Sequence, residues 1–312
     1  MNIQQFEYVL AVANTKHFER AAEKCFVAQS TLSTMISKFE QELGLILFDR
    51  SRKPVEVTIE GRQVIERLKI ITGEISSLKE AVKEIKGAIK GRVTIGCIPT
   101  IAPFLLPLFL RTFSQAYPDV QIELNEWPTE EIIGLLERRE LDIGIVSPPF
   151  KTTTDLVEIP LYQEPFVYYD VEGAPHDQMD VETIDFDDFW LLEESHCMSD
   201  QVLEICKAHH KNIYNSLNIR FKAGSIGSLV QFVRGNQGRT LLPYLAAQQL
   251  LKDEQDRISS FKQPAPARTV SLLVHPHFPK KKLLNLLRLA ILEKMQTIPE
   301  ITTYAEVKES LV

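Results

Sequence analysis

The sequence predicts a multidomain α/β protein. Helix-period segments and a basic turn occupy residues 1–58, a narrow apolar seam of 3.5-residue period follows through 59–90, and strand and helix patterns alternate from 91 to 312. At 312 residues the chain exceeds the ~100–200 of a typical single domain.

In the first segment Ile3, Phe6, Val9, Leu10 and Ala13 recur at helical spacing, as do Phe18, Ala21, Ala22 and Cys25 after a polar break at Asn14-Thr15-Lys16-His17. A third helix begins near Gln29-Ser30, runs through Leu32, Ile36, Phe39 and Leu43, and stops at Gly44, a residue suited to a left-handed helix end. Its opening, Gln29-Ser30-Thr31-Leu32-Ser33-Thr34, is small and polar, with Lys38 one turn on. Helix, tight turn and such a helix fit a helix-turn-helix, which offers short hydrogen-bonding side chains to the DNA major groove. Leu47 to Thr58 then reads as two extended runs around a basic turn, a wing that brings Arg50, Arg52 and Lys53 near phosphates. A small helical bundle with a solvated basic turn fits the same residues.

Thr58 is placed to cap a long helix. Val64, Leu68, Ile71, Ile75, Leu78, Val82, Ile85 and Ile89 step by alternating fours and threes, a heptad seam that predicts a homodimer through this helix. Packing of the stripe on its own domain is the alternative, and Gly73 weakens the helix.

From Gly91 the candidate strands are 93–96, 120–124, 142–146, 166–169, 190–192, 219–221 and 270–274, with helices between them and a last helix near Leu283 to Met295. Such alternation predicts a mostly parallel sheet. Ligands then bind beyond the carboxyl ends of strands, at Pro99-Thr100, Trp127-Pro128-Thr129, Glu194 to Cys197 and Ser225 to Ser228.

Composition narrows the functional classes. The net charge of −7 is uneven: residues 1–90 hold 14 basic against 12 acidic side chains, a balance of +2 against −9 for the rest, so the N-terminal part is the better partner for a polyanion. No apolar stretch approaches the ~20 residues that cross a bilayer. Met1 to Glu7 lacks the basic and apolar regions of an export signal, so a cytoplasmic protein with reduced thiols is expected, and a transport subunit is not. Four cysteines in such a chain are no disulfide framework. His196, Cys197, Cys206, His209 and His210 fit no common zinc spacing, so neither metal nor cofactor is expected. Cys25 and Cys97 read as packing residues.

The run from Ala21-Ala22 through Gln29-Ser30-Thr31-Leu32-Ser33 to Glu42-Leu43-Gly44, Leu47-Phe48, Arg50 and Thr58 resembles the LysR-type transcriptional regulators, and the likeness extends over essentially the whole chain. It implies a winged helix-turn-helix over 1–58, a dimerising linker helix over 59–90, and a regulatory domain over 91–312 similar to periplasmic binding proteins. That domain comprises two α/β subdomains, about 91–163 with 266–312 and about 164–265. It also implies a homotetrameric activator that binds double-stranded DNA and meets RNA polymerase, with no enzymatic turnover and no membrane partner. Position by position, Gln29, Ser30, Thr31, Ser33, Thr34 and Lys38 match the recognition helix, and Arg50 and Arg52 match the wing.

Within the family, His196-Cys197-Met198-Ser199-Asp200-Gln201, Cys206 and Ile98-Pro99-Thr100 are similar to the peroxide-sensing members of the oxidative stress response. This resemblance implies that Cys197 reacts with hydrogen peroxide, that Cys206 resolves the product as a disulfide, and that Thr100, Thr129, His196 and Asp200 hold peroxide or orient water. Two departures stand out. Ser199 occupies the place of a usual arginine, and Gly235-Asn236-Gln237-Gly238-Arg239-Thr240 looks one residue longer than the usual glycine loop.

Ser199 or Asp200 can cap a helix through Val202, Leu203 and Ile205, which sets Cys197 just ahead of a helix N-terminus, where the thiolate is favoured. Nine helical residues span ~13.5 Å, whereas a disulfide needs Cα atoms ~4.4–6.8 Å apart, so bridging demands that the helix unwind or move. Cys206 as a core thiol, a small-metabolite effector between the subdomains, and a thiol peroxidase are the competing readings.

Overall fold

The computed structural model describes residues 1–85, 89–173, 178–192, 197–208, 219, 221 and 223–304. It divides into two compact units, Met1–Gly87 with Arg138–Glu140, and Ala88–Glu137 with Leu141–Val312. Among the described residues no helix is long and apolar enough to cross a membrane.

The first unit opens with α1 (Ile3–Thr15), started by a capping box in which Asn2 and Gln5 exchange backbone-to-side-chain bonds of 2.9 Å. Its inward face is Tyr8, Val9 and Val12 with Gln5, while Ile3, expected on that face, points to solvent. α2 (Phe18–Lys24) packs through Ala21 and Ala22, whose small side chains admit a close approach. α3 (Gln29–Leu43) buries Leu32, Ile36 and Phe39 and ends at Gly44, whose φ of 67° is the left-handed cap expected there. The wing is the antiparallel pair β1 (Phe48–Asp49) and β2 (Glu56–Val57).

Thr58 accepts a 2.9 Å bond from the Gly61 N–H at the start of α4 (Ile59–Ile85). The seam of α4 divides along its length. Leu68, with Ile65, is buried in the core that also holds Phe39 and Phe48, whereas Ile71, Leu78 and Val82 are exposed. The early seam therefore serves its own domain, and the apolar stripe available to a partner helix starts at Ile71. Ile89, counted in the seam, lies beyond the helix and packs against the core of the second unit.

The second unit is built around β3 (Gly91–Cys97), which lies between β4 (Val120–Glu126) and β5 (Ile143–Val146) and is parallel to both. The crossovers are α5 (Ala102–Ala116) and α6 (Thr129–Glu137). The sheet is not mostly parallel. β6 (Val157–Asp170) and β9 (Ala267–Val274) run antiparallel to each other, β9 also to β5, in the order β10–β6–β9–β5–β3–β4, with β10 at Thr302–Thr303.

The cause is one 14-residue strand where the sequence pattern marked four residues. β6 pairs with β9 through Pro165, then with β7 (Arg239–Pro243) and β8 (Ile258–Ser259) from Phe166 on. It thereby leaves one apolar core at Tyr162 and enters a second at Phe166. The expected strands at 190–192 and 219–221 reduce to isolated bridges at Phe189, Leu192 and Ala223, with Arg220 outside the described residues. The second core also carries α7 (Cys197–Ala208), α8 (Ile226–Gly235) and α9 (Tyr244–Ala247); α10 (Lys252–Gln255) follows, its Glu254 accepting from the Tyr169 hydroxyl of β6 at 3.2 Å, and α11 (Lys281–Met295) covers the first core.

Candidate functional site

Two sites emerge, one in each unit. In the first, Gln29, Ser30, Thr31, Thr34 and Lys38 are exposed on α3, opposite buried Leu32, Ile36 and Phe39, and Ser33 is half-buried. This face carries hydrogen-bonding groups at the helix N-terminus and a cation one turn on, which suits base edges and a phosphate.

Arg50, read from the sequence as a phosphate contact, packs on α3 in this structure. Its guanidinium donates to Ser33 Oγ at 2.9 Å, Ser37 Oγ at 3.0 Å and Glu40 Oε2 at 2.9 Å, and stands 4.8 Å over the Phe18 ring. Glu40 Oε1 in turn accepts from the N–H groups of Leu47 and Phe48, so Arg50 and Glu40 together lock the wing to the recognition helix. Arg52 remains outward, paired with Asp49 at 3.3 Å and Glu56 at 2.9 Å. Bonds from Ser51, with Arg52 adding its charge, hold the Asp49 carboxyl below its ordinary range. Exposed pairs of this kind hold their members weakly, which leaves Arg52 able to exchange a carboxylate for a phosphate.

The second site centres on α7. The helix already includes Cys197, ahead of the Ser199 or Asp200 expected as its cap, and its backbone contains both Cys197 and Cys206. Ser199 is buried. His196 lies outside the described residues, and of Cys197, Asp200 and Cys206 the backbone alone is described. Met198 and Val202, buried in the second core, fix which face of α7 looks inward.

Gln201 ties α7 to the end of β5. Its Nε2 donates to Ser147 Oγ at 3.0 Å and to the Pro148 carbonyl at 2.6 Å, and Ser147 Oγ donates onward to the Thr269 carbonyl at 2.7 Å. The buried Oε1 of Gln201 has no partner among the described residues. The cleft beside it, about 570 Å3, is lined by Pro148, Gln201, Glu204, Ile205, Pro266 and Arg268, with Phe166 of the second core.

Thr100 is buried where β3 ends, and Arg268 donates to its Oγ1 at 3.1 Å and to its carbonyl at 3.0 Å. A hydroxyl that accepts from a guanidinium keeps its own proton to donate. Arg268 is itself buried against Glu164 at 2.8 Å, and Glu164 also accepts from the Leu245 N–H, so this charge pair is held on both sides. Thr129 is buried in the first turn of α6.

Sequence reasoning named Thr100 and Thr129 but gave no role to Gln201, Ser147, Glu164 or Arg268. The available signal was a glutamate and an arginine each adjoining an apolar strand run, Glu164 before 166–169 and Arg268 before 270–274, since buried charges persist only when paired. Of the remaining thiols, burial pushes Cys97 far above the ordinary range, while Cys25 is half-buried and raised first by burial and then by the charge of Glu7.

Residues 3–62 match the family described as bacterial regulatory helix-turn-helix protein, lysR family, and residues 86–296 match the LysR substrate binding domain. The chain is 32% identical over 300 residues to a hydrogen peroxide-inducible genes activator of Dickeya chrysanthemi, covering 95% of this chain and 96% of that protein. It is 33% identical over 288 residues to the HTH-type transcriptional regulator EstR of Acinetobacter baylyi, covering 89% and 92%. Among solved structures, a full-length OxyR variant from Pseudomonas aeruginosa superposes with a TM-score of 0.75 at 26% identity over 99% of each chain. With both halves matched and the helix-turn-helix, wing and two-core α/β domain all in place, the chain belongs to the LysR family of bacterial transcription regulators, which are not enzymes.

Proposed function

We propose that this chain is a cytoplasmic transcription activator that binds double-stranded DNA as a homodimer or homotetramer, engages RNA polymerase there, and responds to hydrogen peroxide through a reversible Cys197–Cys206 disulfide. The observation that carries the proposal is the continuity of α7 through both positions. A helix places them ~13.5 Å apart on opposite faces, so bridging cannot leave α7 intact. The name of the Dickeya chrysanthemi relative, a hydrogen peroxide-inducible genes activator, supports the choice of oxidant.

The chemistry balances. The Cys197 thiolate, favoured at a helix N-terminus, attacks one peroxide oxygen; an S–O bond forms, the O–O bond breaks, and hydroxide leaves to become water. The Cys206 thiolate then attacks that sulfur, an S–S bond forms, and the second oxygen leaves as water. Two electrons pass from the sulfurs to the peroxide, and a dithiol reductant returns them. In this reading Thr100, Thr129, His196 and Asp200 hold the peroxide. Loss of helix in α7 releases Gln201 from Ser147 and Pro148 and repacks the surface that sets the spacing of the DNA-binding domains.

Mass spectrometry of thiol state after one equivalent of peroxide tests this. The native chain should give a Cys197–Cys206 disulfide reversed by dithiothreitol, and neither Cys197→Ser nor Cys206→Ser should give it. A native chain that stays fully reduced would sink the oxidant and leave the regulator. The cleft of about 570 Å3, within the size range of small-molecule sites, favours a second reading in which a small metabolite is the effector. Thermal stabilisation by a metabolite with no thiol change would select it.

A further inference from the structure

Phe26 sits in the turn between α2 and α3 with 95% of its surface exposed, and among the large apolar side chains described as exposed its backbone is the one in the left-handed region, at φ 55°. The turn explains the conformation and not the residue. Phe26 N–H bonds to the Glu23 carbonyl at 3.1 Å and Val27 N–H to the Ala22 carbonyl at 3.0 Å, the paired bonds of a Schellman helix end. That geometry favours glycine or asparagine, and a bulky side chain there is strained. Folding thus disfavours phenylalanine at this position twice, through the backbone and through an aromatic ring left in water.

The next residues along the chain are the polar row Gln29, Ser30 and Thr31, exposed at the N-terminus of α3. In helix-turn-helix docking the N-terminal residues of this helix meet base edges in the major groove, and Phe26 stands three residues ahead of Gln29. The one apolar group that the major groove displays on its base edges is the thymine C5-methyl, which aromatic and methyl-bearing side chains contact.

We infer that Phe26 is a specificity-determining DNA contact that packs against a thymine methyl at the edge of the bound site. The inference rests on the helix-turn-helix and is independent of how the regulator is switched. The strain and exposure carried by the free protein are relieved when the ring is covered by the duplex.

The test uses the full chain and a duplex that it selects from a random-sequence pool, with each thymine replaced in turn by uracil, which lacks the methyl. Fluorescence anisotropy at fixed salt should show one uracil position weakening the native chain about fivefold or more, with no effect at that position on Phe26→Asn. Phe26→Asn should bind the unmodified duplex more weakly by a similar factor while its Tm stays level or rises, because asparagine accepts the left-handed backbone. Phe26→Gly repeats the comparison with the residue type that this conformation favours most. Equal affinity of native and variant chains, a loss in the variant that no uracil position reproduces, or a change in oligomeric state without a change in DNA affinity would overturn the inference.

Discussion

The side-chain amide of Gln201 donates to the hydroxyl of Ser147 at 3.0 Å, joining the helix that carries Cys197 and Cys206 to the residues that follow β5, beside Pro148 of the cleft. Ser147 is already anchored to Thr269, so Gln201 binds α7 to a fixed point. If the disulfide forms by dismantling α7, this tie belongs to the reduced form alone. Gln201→Ala should then destabilise the reduced protein by about 1–2 kcal/mol, from two lost hydrogen bonds. It should also move the Cys197–Cys206 midpoint potential by about 20–40 mV toward easier oxidation. Redox titration in thiol–disulfide buffers reads the shift directly; an unchanged potential would mean that the tie survives in both forms.

The Arg268–Glu164 pair holds Thr100 in place from a fully buried position. Removing one partner leaves the other charge without compensation, so Arg268→Met should cost about 3–5 kcal/mol in urea unfolding. Glu164→Leu combined with Arg268→Met should cost less than either single change, although the Leu245 N–H then loses its acceptor. A double variant as unstable as the sum of the singles would contradict the pairing.

Arg50 and Arg52 stand two residues apart in the wing and should behave differently. Arg50→Ala removes the contacts to Ser33, Ser37, Glu40 and Phe18, so it should lower the stability of the N-terminal domain by about 1 kcal/mol. Arg52→Ala should leave the melting temperature nearly level and reduce the slope of log affinity against log salt by about one phosphate contact. Equal salt slopes for the native chain and Arg52→Ala would remove Arg52 from the interface.

Burial raises the Cys97 thiol far above the ordinary range, so its reactive thiolate is scarce at neutral pH. Iodoacetamide at pH 7–8 should leave Cys97 unmodified in the native chain and label it after unfolding in urea, as peptide mass spectrometry would report. Cys97→Ala should likewise leave the peroxide response intact. Rapid native-state labelling of Cys97 would show that the core around β3 opens readily.

The linear sequence determined what short-range patterns encode. Three helices with a glycine stop, a two-stranded wing, a capped linker helix and the α/β texture of the second unit follow from side-chain period and cap residues, because backbone geometry couples neighbours within a few positions. Phe26 was equally visible as a letter, yet its exposure and left-handed backbone emerge only once α2 and α3 are packed.

Strand direction and length belong to the tertiary structure. Nothing local distinguishes a parallel from an antiparallel partner, so β6, which passes from one core to the other, and its antiparallel run against β9 went unrecognised. The side chains that line the cleft are dispersed from Pro148 to Thr269, and Arg50 bonds Glu40 because folding brings α3 beneath the wing. Partners so distant in sequence leave no periodic trace; their charges are matched only when the chain closes on itself, and burial then makes the match energetically binding.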